Sequence, residues 1–501
     1  WITGADQGWQ GVGAYPPYFV DNLPPVTEVG RGSPTWGVFY EHLQFPAKYS
    51  DSFIVCDYRW KSATSGGYDS AGRLVSFHLT RNGASWEAKM ELLARPRPGA
   101  TDDTGAPINF ALVDAEVAPD GSLFVSDHNQ GVWRVMYDPQ KRGAGPPVFD
   151  FNQLTSRAPN SRRMQALDVV MLFPQPGAEW SRTTLENIHS QAGEALLSGL
   201  RQVALNESAL PRTRMRALRL LAAKFDDLPA DFLVQLAASP DAEARGQAAW
   251  LLGIRGRDAE TGALLKLLGD PDPFVRRRAA EAFTRVETAA AAALIERLGD
   301  SDRTVRYVAM SALAHRDPAG WIDQALEGGH PQVVIRSIVA HSLRREAPSI
   351  STLERAIGDL LEHSGMTSED RLDFLRVLGI HAGALRDHPE LGPRISERLV
   401  ARFPDGDRNL RWEQARLIGD YRVAGAGTKL LDALEREADP VTQFHLAQAL
   451  SRIAGELDIA TAKRAVEWTL TSQRGWFAEF EGKGRQFPDF WATVLDCQEQ
   501  W

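Results

Sequence analysis

Cysteine, an excess of positive charge and long apolar runs are all missing or scarce in this sequence. Only two cysteines, Cys56 and Cys497, occur among 501 residues, so the chain lacks a disulfide framework and any Cys-x-x-Cys zinc or haem motif. The formal net charge of -9 argues against a general nucleic-acid-binding protein. No run of about 18 apolar residues is present, so the sequence predicts no transmembrane helix.

The motifs of several common enzyme classes are also missing. There is no His-Glu-x-x-His zinc site, no Gly-x-Ser-x-Gly nucleophile turn and no Walker phosphate loop. The pair Gly11 and Gly13 lacks the third glycine of a dinucleotide-binding turn, since Pro16 takes its place. The residues on their own therefore predict no metal site, haem or nicotinamide cofactor in this chain.

A fixed period runs through the middle of the chain. Arg245, Arg276, Arg306 and Arg336 recur at intervals of 31, 30 and 30 residues, each after a short turn and before small apolar residues. A period in this range indicates stacked repeats, so most of the chain is expected to form a solenoid and not one globule. Weaker copies of the pattern extend it in both directions along the sequence.

Each repeat is predicted to be a pair of helices. Leu264, Leu267 and Leu268 lie on one apolar stripe at helical spacing. The turn that follows ends this helix and starts the next one, with Asp272 as the N-cap and Pro273 in the first turn.

The spacing from Asp270 to Arg276 resembles that of HEAT-type repeats, in which Asp and Arg residues form ladders between neighbouring units. A buried arginine needs an acceptor, and the Asp of a nearby turn supplies one. We therefore expect the repeated arginines to be structural rather than ligand-binding. The predicted ladder consists of Arg245, Arg276, Arg306, Arg336, Asp270 and Asp300.

The first 150 residues have a different pattern, in which short alternating runs predict β-strands. Asn82-Gly83 and Asp120-Gly121 are the predicted turns between neighbouring strands. Short antiparallel strands of this kind indicate a sandwich or a propeller, and their number predicts about two blades, too few for a closed ring. The predicted strands lie at 52–56, 74–79, 84–88, 113–117, 123–126 and 132–137.

Two passages favour the propeller. Residues 45–57 and 114–135 resemble blades of the β-propeller in soluble sugar dehydrogenases of the glucose/sorbosone type. Blades followed by HEAT repeats resemble the membrane-bound dehydrogenase domain proteins of planctomycete-like bacteria. This resemblance implies an N-terminally incomplete, multidomain β + α protein. Its expected parts are partial propeller blades at 1–150, a linker at 151–188 and a HEAT-type α-solenoid at 189–501.

The resemblance also implies candidate ligand-binding residues just past two strand ends, where the mouth of a propeller lies. They are Asp57 and Arg59 after one strand, and Asp127 and His128 after another. The alternative role for both aspartates is to cap turns. The family's quinone-binding and base residues fall in upstream blades, so no catalytic residue is assigned. A full-length parent would bind pyrroloquinoline quinone and calcium, whereas this chain alone is expected to hold no cofactor.

Two functions agree with these patterns. The first is part of a quinoprotein-like sugar or alcohol dehydrogenase, active only in its full-length parent, whose HEAT scaffold docks an electron-transfer partner such as a c-type cytochrome. The alternative is a non-catalytic scaffold that binds a protein partner on the solenoid surface. We expect a periplasmic or secreted protein that binds no nucleic acid.

Overall fold

A computed structural model describes most of the chain. Contacts divide the chain into two compact units, which we name the sheet unit (Pro25–Thr288) and the helical unit (Trp1–Pro24 with Ala289–Trp501). The predicted site residue Arg59 lies outside the described residues, and so does Cys497. The described residues are 16–27, 33–58, 72–97, 99–106, 108, 110–128, 131–138, 166–172, 175–222, 228–256, 261–287, 290–327, 330–344 and 346–480.

The strands of the sheet unit form two antiparallel sheets. The first has four strands in the order β1-β2-β3-β4, and the second has three strands in the order β5-β6-β7. Strands that follow each other along the chain are therefore neighbours in each sheet. The strands are β1 (Ser33–Tyr40), β2 (Ser52–Tyr58), β3 (Arg73–Asn82), β4 (Ser85–Ala94), β5 (Leu112–Val117), β6 (Leu123–Asp127) and β7 (Gly131–Val135).

Both predicted glycine turns join neighbouring strands. Gly83 between β3 and β4 has a φ of +58°, and Gly121 between β5 and β6 has a φ of +82°. These values lie in the left-handed region that favours glycine. Space is limited at Gly121 as well, since an added Cβ would lie 2.2 Å from Nδ1 of the buried His42.

The two sheets share one apolar core. Tyr40 on β1 donates its hydroxyl hydrogen to the carbonyl of Gly121 at 2.8 Å, and Thr35 donates to the carbonyl of Leu112 at 2.9 Å. These bonds join β1 to the second sheet, and burial of the apolar side chains between the sheets stabilises the pair. The buried core residues are Tyr40, Phe45, Ile54, Cys56, Leu74, Leu112, Ala115, Val117, Leu123 and Val125.

The structure has a strand at each run that the sequence predicts as β, with ends shifted by a few residues. Strand β1 is an addition to that prediction. Pro34 and Gly37 interrupt its alternating pattern, and the pairing of β1 with β2 shifts in register between Pro34 and Trp36. A proline cannot donate to the ladder and a glycine weakens strand preference, so an edge strand of this kind gives a weak sequence signal.

Helices make up most of the described chain after the strands, and α1 together with the start of α2 lies in the stretch predicted as a linker. The helices of the sheet unit are α1 (Ala166–Leu172), α2 (Glu179–Ala192), α3 (Glu194–Leu205), α4 (Pro211–Ala222), α5 (Ala230–Ala237), α6 (Ala242–Arg255), α7 (Thr261–Leu268) and α8 (Pro273–Ala282). Those of the helical unit are α9 (Ala291–Arg297), α10 (Arg303–Ala314), α11 (Ile322–Glu327), α12 (Pro331–Ser342), α13 (Ile350–Glu362), α14 (Ser368–Ile380), α15 (Ala382–Leu385), α16 (Leu391–Arg402), α17 (Arg408–Asp420), α18 (Gly427–Arg436), α19 (Pro440–Arg452) and α20 (Ile459–Phe480).

From α5 onward the helices form pairs, apart from α15 and α20. We name the first and second members of each pair the first helix and the second helix. The second helices are α6 and α8 in the sheet unit, and α10, α12, α14, α17 and α19 in the helical unit. Within each unit, second helices that follow each other pack together. In the sheet unit this packing is close, since a Cβ added to Gly253 on α6 would lie 2.6 Å from the Cα of Ala282 on α8.

Aspartate caps start several second helices. The carboxylate of Asp272 accepts a hydrogen bond from the amide of Phe274, and Pro273 occupies the first turn of α8. The predicted N-cap of this helix is therefore confirmed. Asp241 and Asp302 cap α6 and α10 in the same way. None of the described helices is both long and apolar enough to cross a membrane.

Candidate functional site

The repeated arginines of the sheet unit tie second helices to nearby turns. Arg245 on α6 forms a bidentate pair with Asp270, at the turn before α8, with N–O distances of 2.7 and 2.9 Å. Asp270 also accepts the amide of Asp272 at 2.9 Å. Arg276 on α8 donates to the backbone carbonyls of Asp270 and Pro271 at 2.9 and 3.0 Å. Asp270 therefore orders its own turn and links it to the preceding second helix.

The same arrangement recurs in the helical unit, where the arginines are more deeply buried. Arg306 on α10 donates to the carbonyl of Asp300 at 2.9 Å and pairs with Glu369 on α14. Arg336 on α12 is 1% exposed and pairs with Asp373 on α14 at 3.1 Å. Burial raises the pKa of Asp373 to about 6, although the charge of Arg336 opposes this shift.

Two weaker copies of the repeat continue this pattern. Arg371 on α14 lies 2.6 Å from Asp405 before α17, and Arg411 on α17 lies 2.9 Å from Glu437 before α19. Each arginine therefore reaches an acid at or near the next repeat. We name these side chains the arginine ladder, which consists of Arg245, Arg276, Arg306, Arg336, Arg371 and Arg411.

Other side chains on the same helices hold a separate stretch of the helical unit. Residues 16–24, which we name the docked segment, lie against α10, α14 and α17 and belong to no strand or helix. Phe19, Val20, Asn22 and Leu23 of this segment are buried. The segment is therefore held through contacts with the helices and not through regular structure of its own.

Arg376 on α14 makes the strongest of these contacts. Its Nε is 2.9 Å from Oδ1 of Asp21, and its Nη2 is 2.6 Å from Oδ2, so the pair is bidentate. The same guanidinium lies 4.3 Å from the centre of the Phe19 ring. The arginine and aspartate side chains are only 16% and 13% exposed. A shielded fork that also stacks on a ring is favourable and geometrically specific, so it fixes the position of residues 19 and 21.

Arg303, the first residue of α10, binds the backbone of the docked segment. Its Nη2 lies 2.6, 2.8 and 2.9 Å from the carbonyl oxygens of Pro17, Phe19 and Asn22. These carbonyls converge because the segment turns twice, with the Phe19 amide donating to Pro16 and the Asn22 amide donating to Phe19, both at 3.1 Å. Arg303 thus recognises the shape of the segment rather than its side chains.

Glu413 on α17 receives the third contact. The hydroxyl of Tyr18 donates to Oε1 of Glu413 at 2.9 Å, and the other carboxylate oxygen accepts from Nη2 of Arg416 at 2.7 Å. Burial and the charge of Glu413 raise the pKa of Tyr18 above its ordinary value, so the phenol stays protonated and donates. We name the surface formed by Arg303, Arg376 and Glu413 the docking face.

The strand-end aspartates that were predicted as ligand groups have partners inside the sheet unit. Asp57 is buried, and its Oδ2 accepts from Nε of Arg73 at 2.7 Å. Oδ2 of Asp127 accepts from the amide of Ala111 at 3.1 Å and from Nε1 of Trp133 at 3.0 Å. Both carboxylates hold the ends of their strands through these bonds. A ligand role for either residue stays a prediction.

Of the other two predicted ligand residues, only His128 lies within the described part of the chain. His128 is exposed, and its amide donates to the carbonyl of Ala111 at 2.8 Å. Within the described ranges, no three His, Cys, Asp or Glu side chains converge in a way that could hold a metal ion.

The sequence predicts no role for residues 16–24. The signal that could have marked them is compositional, since two aromatic residues and an aspartate lie between the proline pairs 16–17 and 24–25. Prolines and aromatic residues are frequent in short segments that bind to protein surfaces. Arginines at the positions of Arg303 and Arg376 occur together in one other repeat of the sequence, as Arg408 and Arg416 of α17. Nothing in a single sequence therefore distinguishes Arg303 and Arg376 from other surface arginines.

Comparison with known proteins bears on the helices. The family model of HEAT repeats matches residues 194–282 and 230–314. No curated protein matches the chain. One similar solved structure is that of Kap95p binding RanGDP, with 12% identity, coverage of 72% of this chain and 57% of that chain, and a TM-score of 0.44. This chain therefore spans less than two thirds of the length of that structure.

Two further solved structures are similar to the chain. Kap121p bound to Nup53p has 11% identity, coverage of 70% of this chain and 42% of that chain, and a TM-score of 0.45. Human deoxyhypusine hydroxylase has 19% identity, coverage of 63% of this chain and 100% of that chain, and a TM-score of 0.22.

The match to HEAT repeats and the helix pairs confirm the predicted HEAT-type solenoid region. Small, separate antiparallel sheets precede it in the sequence. Solenoids of this type present extended surfaces to protein partners. The relationship to planctomycete dehydrogenase domain proteins stays a prediction.

Proposed function

We propose that this protein is a non-catalytic scaffold that binds a protein partner on the docking face of its helical unit. One observation carries the proposal: the docking face already holds an irregular peptide, residues 16–24, through a stacked ion pair and three backbone carbonyls. A surface that satisfies the side chains and backbone of one peptide has the chemistry to bind another.

The scaffold supports binding because it holds these groups rigidly. Helix α14 carries Arg371 of the arginine ladder as well as Arg376 of the docking face. The ladder fixes the helix to its neighbours, and the helix then fixes the position of the binding side chain. Binding groups on rigid elements lose little conformational freedom when a partner docks, which favours affinity.

A photo-crosslinking residue at Arg408 tests the proposal. Arg408 is exposed at the start of α17, and its charge acts on Tyr18, so it lies beside the docking face. Glu397 is the matched control position, because it is exposed on α16, the first member of the helix pair that α17 completes. In the native host we expect one partner protein to crosslink from position 408 and not from position 397. The adduct should disappear when Arg376→Glu reverses the charge of the docking face, and the purified partner should bind the purified chain with the same dependence.

Equal adducts from positions 408 and 397, or no adduct from position 408, would contradict the proposal. Retention of the adduct in Arg376→Glu would place the partner on another surface.

A second, finer proposal follows from the blade-like segments. The chain would be part of a periplasmic sugar or alcohol dehydrogenase whose longer parent binds pyrroloquinoline quinone and calcium and whose solenoid docks a c-type cytochrome. Two consecutive antiparallel sheets with a shared core support this proposal, since propeller blades pack in that way. Sugar-dependent dye reduction, with quinone and calcium added, is expected from the parent and not from this chain. A parent without that activity would contradict it.

A further inference from the structure

We propose that the docking face recognises a linear peptide with the chemistry of the docked segment, and that such a partner competes with residues 16–24 for the same groups. The partner presents a Tyr-Phe pair with an acidic residue two positions after the Phe, as in Tyr18-Phe19-Val20-Asp21. This inference rests on the proposed function and specifies the class of its partner.

The recognised element is short enough to be a linear motif. The hydroxyl bond, the cation–ring contact and the ion pair with α14 and α17 come from Tyr18, Phe19 and Asp21, which lie within four consecutive residues. The contacts with α10 are made by backbone carbonyls of the same stretch. No strand pairing or helix of the segment takes part, so a partner needs only a short stretch of extended and turned chain.

Each group of the docking face selects a different property of that stretch. Arg376 requires an acid and an aromatic ring at a fixed separation, because one guanidinium contacts both Asp21 and Phe19. Glu413 requires a hydrogen-bond donor, which favours tyrosine over phenylalanine at the preceding position. Arg303 requires the double turn that brings three carbonyls together. A peptide without the acid would leave the shielded Arg376 without its counter-charge, which disfavours binding.

Residues 16–24 belong to the same chain as the docking face, and this covalent connection affects how well a free peptide can compete with them. A segment joined to its own binding surface acts at an effective concentration set by the chain that joins them, and we take a value on the order of 1 mM. For an intrinsic Kd of about 0.1 mM, occupancy by the tethered segment would weaken the apparent affinity of a free peptide about tenfold. Weakening the tethered segment should therefore reveal the affinity of the docking face.

The probe is a fluorescein-labelled peptide with the sequence of residues 16–24, titrated with the full chain and followed by fluorescence anisotropy. The chain that carries Phe19→Ala and Asp21→Ala together should bind the peptide about tenfold more tightly than wild type. Adding Arg376→Ala to that chain should abolish binding. Arg394→Ala is the matched control, because Arg394 forms an exposed pair with Glu362 on the first helices, and it should leave the affinity unchanged.

A second variant keeps the test decisive if the double substitution disturbs folding. Asp21→Ala alone removes no apolar contact, and it should also increase peptide affinity while keeping the wild-type circular dichroism spectrum. A labelled peptide in which the aspartate is replaced by asparagine should bind either variant more weakly than the original peptide does.

Three results would overturn the inference. These are equal peptide affinity for wild type and the weakened chains, no binding to any variant, or binding that does not depend on Arg376. Each would mean that a free peptide does not replace residues 16–24 on the docking face. Crosslinking from position 408 does not depend on peptide chemistry, so an adduct there combined with a negative peptide titration would reject this partner class and leave the proposed scaffold function standing.

Discussion

Two sets of charged side chains run along the second helices of the helical unit, and they differ in what they hold. Arg306 and Arg336 of the arginine ladder bind acids and carbonyls of the solenoid itself. Arg303 and Arg376 of the docking face bind residues 16–24 instead. The ladder arginines maintain the scaffold, and the arginines of the docking face select what the scaffold holds.

Helix geometry explains how one helix serves both purposes. Arg371 and Arg376 are five residues apart on α14, which at 3.6 residues per turn directs their side chains about 140° apart around the helix axis. The first therefore reaches Asp405 near the next repeat, while the second reaches Asp21 of the docked segment. The same main chain thus fixes both contacts, and substitutions at the two positions should have separable effects.

The largest expected effect is on the ladder. Arg336→Ala should lower the free energy of unfolding by about 3–5 kcal/mol, because it removes one partner of a buried pair and leaves Asp373 without its counter-charge. The measurement is urea unfolding followed by circular dichroism. Arg355→Ala is the matched control, since Arg355 and Asp323 form an exposed pair, and its effect should stay below about 1 kcal/mol. Equal unfolding midpoints for the two variants would show that the buried pair stabilises the chain no more than the exposed pair does.

A smaller and local effect is expected at the docking face. Arg376→Ala should release residues 16–24 at a cost of about 1.5–3 kcal/mol to docking and leave the cooperative unfolding of the solenoid close to that of wild type. Limited proteolysis within the segment measures the release. Arg376→Lys should be intermediate, because an ammonium keeps the charge but loses the bidentate geometry and the stacking on Phe19. Wild-type resistance in both variants would show that the ion pair does not hold the segment.

The smallest effect is expected from one hydroxyl. Tyr18→Phe should weaken docking by about 0.5–1.5 kcal/mol, because it removes the bond to Glu413. The folded pKa of Tyr18 is raised by burial and by Glu413, so the stabilisation is present below the ordinary tyrosine pKa of 10.0 and is lost as pH rises above it.

Absorbance titration at alkaline pH measures this shift. The difference between wild type and Tyr18→Phe should show one phenol that ionises later than exposed tyrosines. A phenol with an ordinary titration curve would contradict the shielded contact with Glu413.

Much of the scaffold could be predicted from the sequence, because its rules are local. The cap of α8 at Asp272 and the apolar stripe of α7 depend on residues within one or two helical turns of each other. Arg245 and Asp270 are 25 residues apart and lie in neighbouring repeats, so the period of the sequence places the Asp of one repeat near the Arg of the preceding one. A repeat shows the same interaction several times, so even a single sequence contains enough copies to recognise it.

The docked segment could not be predicted in this way. Arg376 and Asp21 are 355 residues apart along the chain, and Tyr18 and Glu413 are 395 apart. Neither pair is repeated. The residues next to an arginine in the sequence do not show whether its side chain binds a peptide or faces solvent. Such contacts arise only when the solenoid brings successive second helices side by side.

Hydrogen exchange of the Phe19 and Asn22 amides tests the central claim, that the docking face holds residues 16–24, most directly. Both amides donate within the two turns of the segment that Arg303 stabilises. They should exchange slowly in wild type and in Arg355→Ala, and rapidly in Arg376→Ala, because the segment loses its turns when it is released. Rapid exchange in wild type, or equally slow exchange in all three proteins, would contradict the claim.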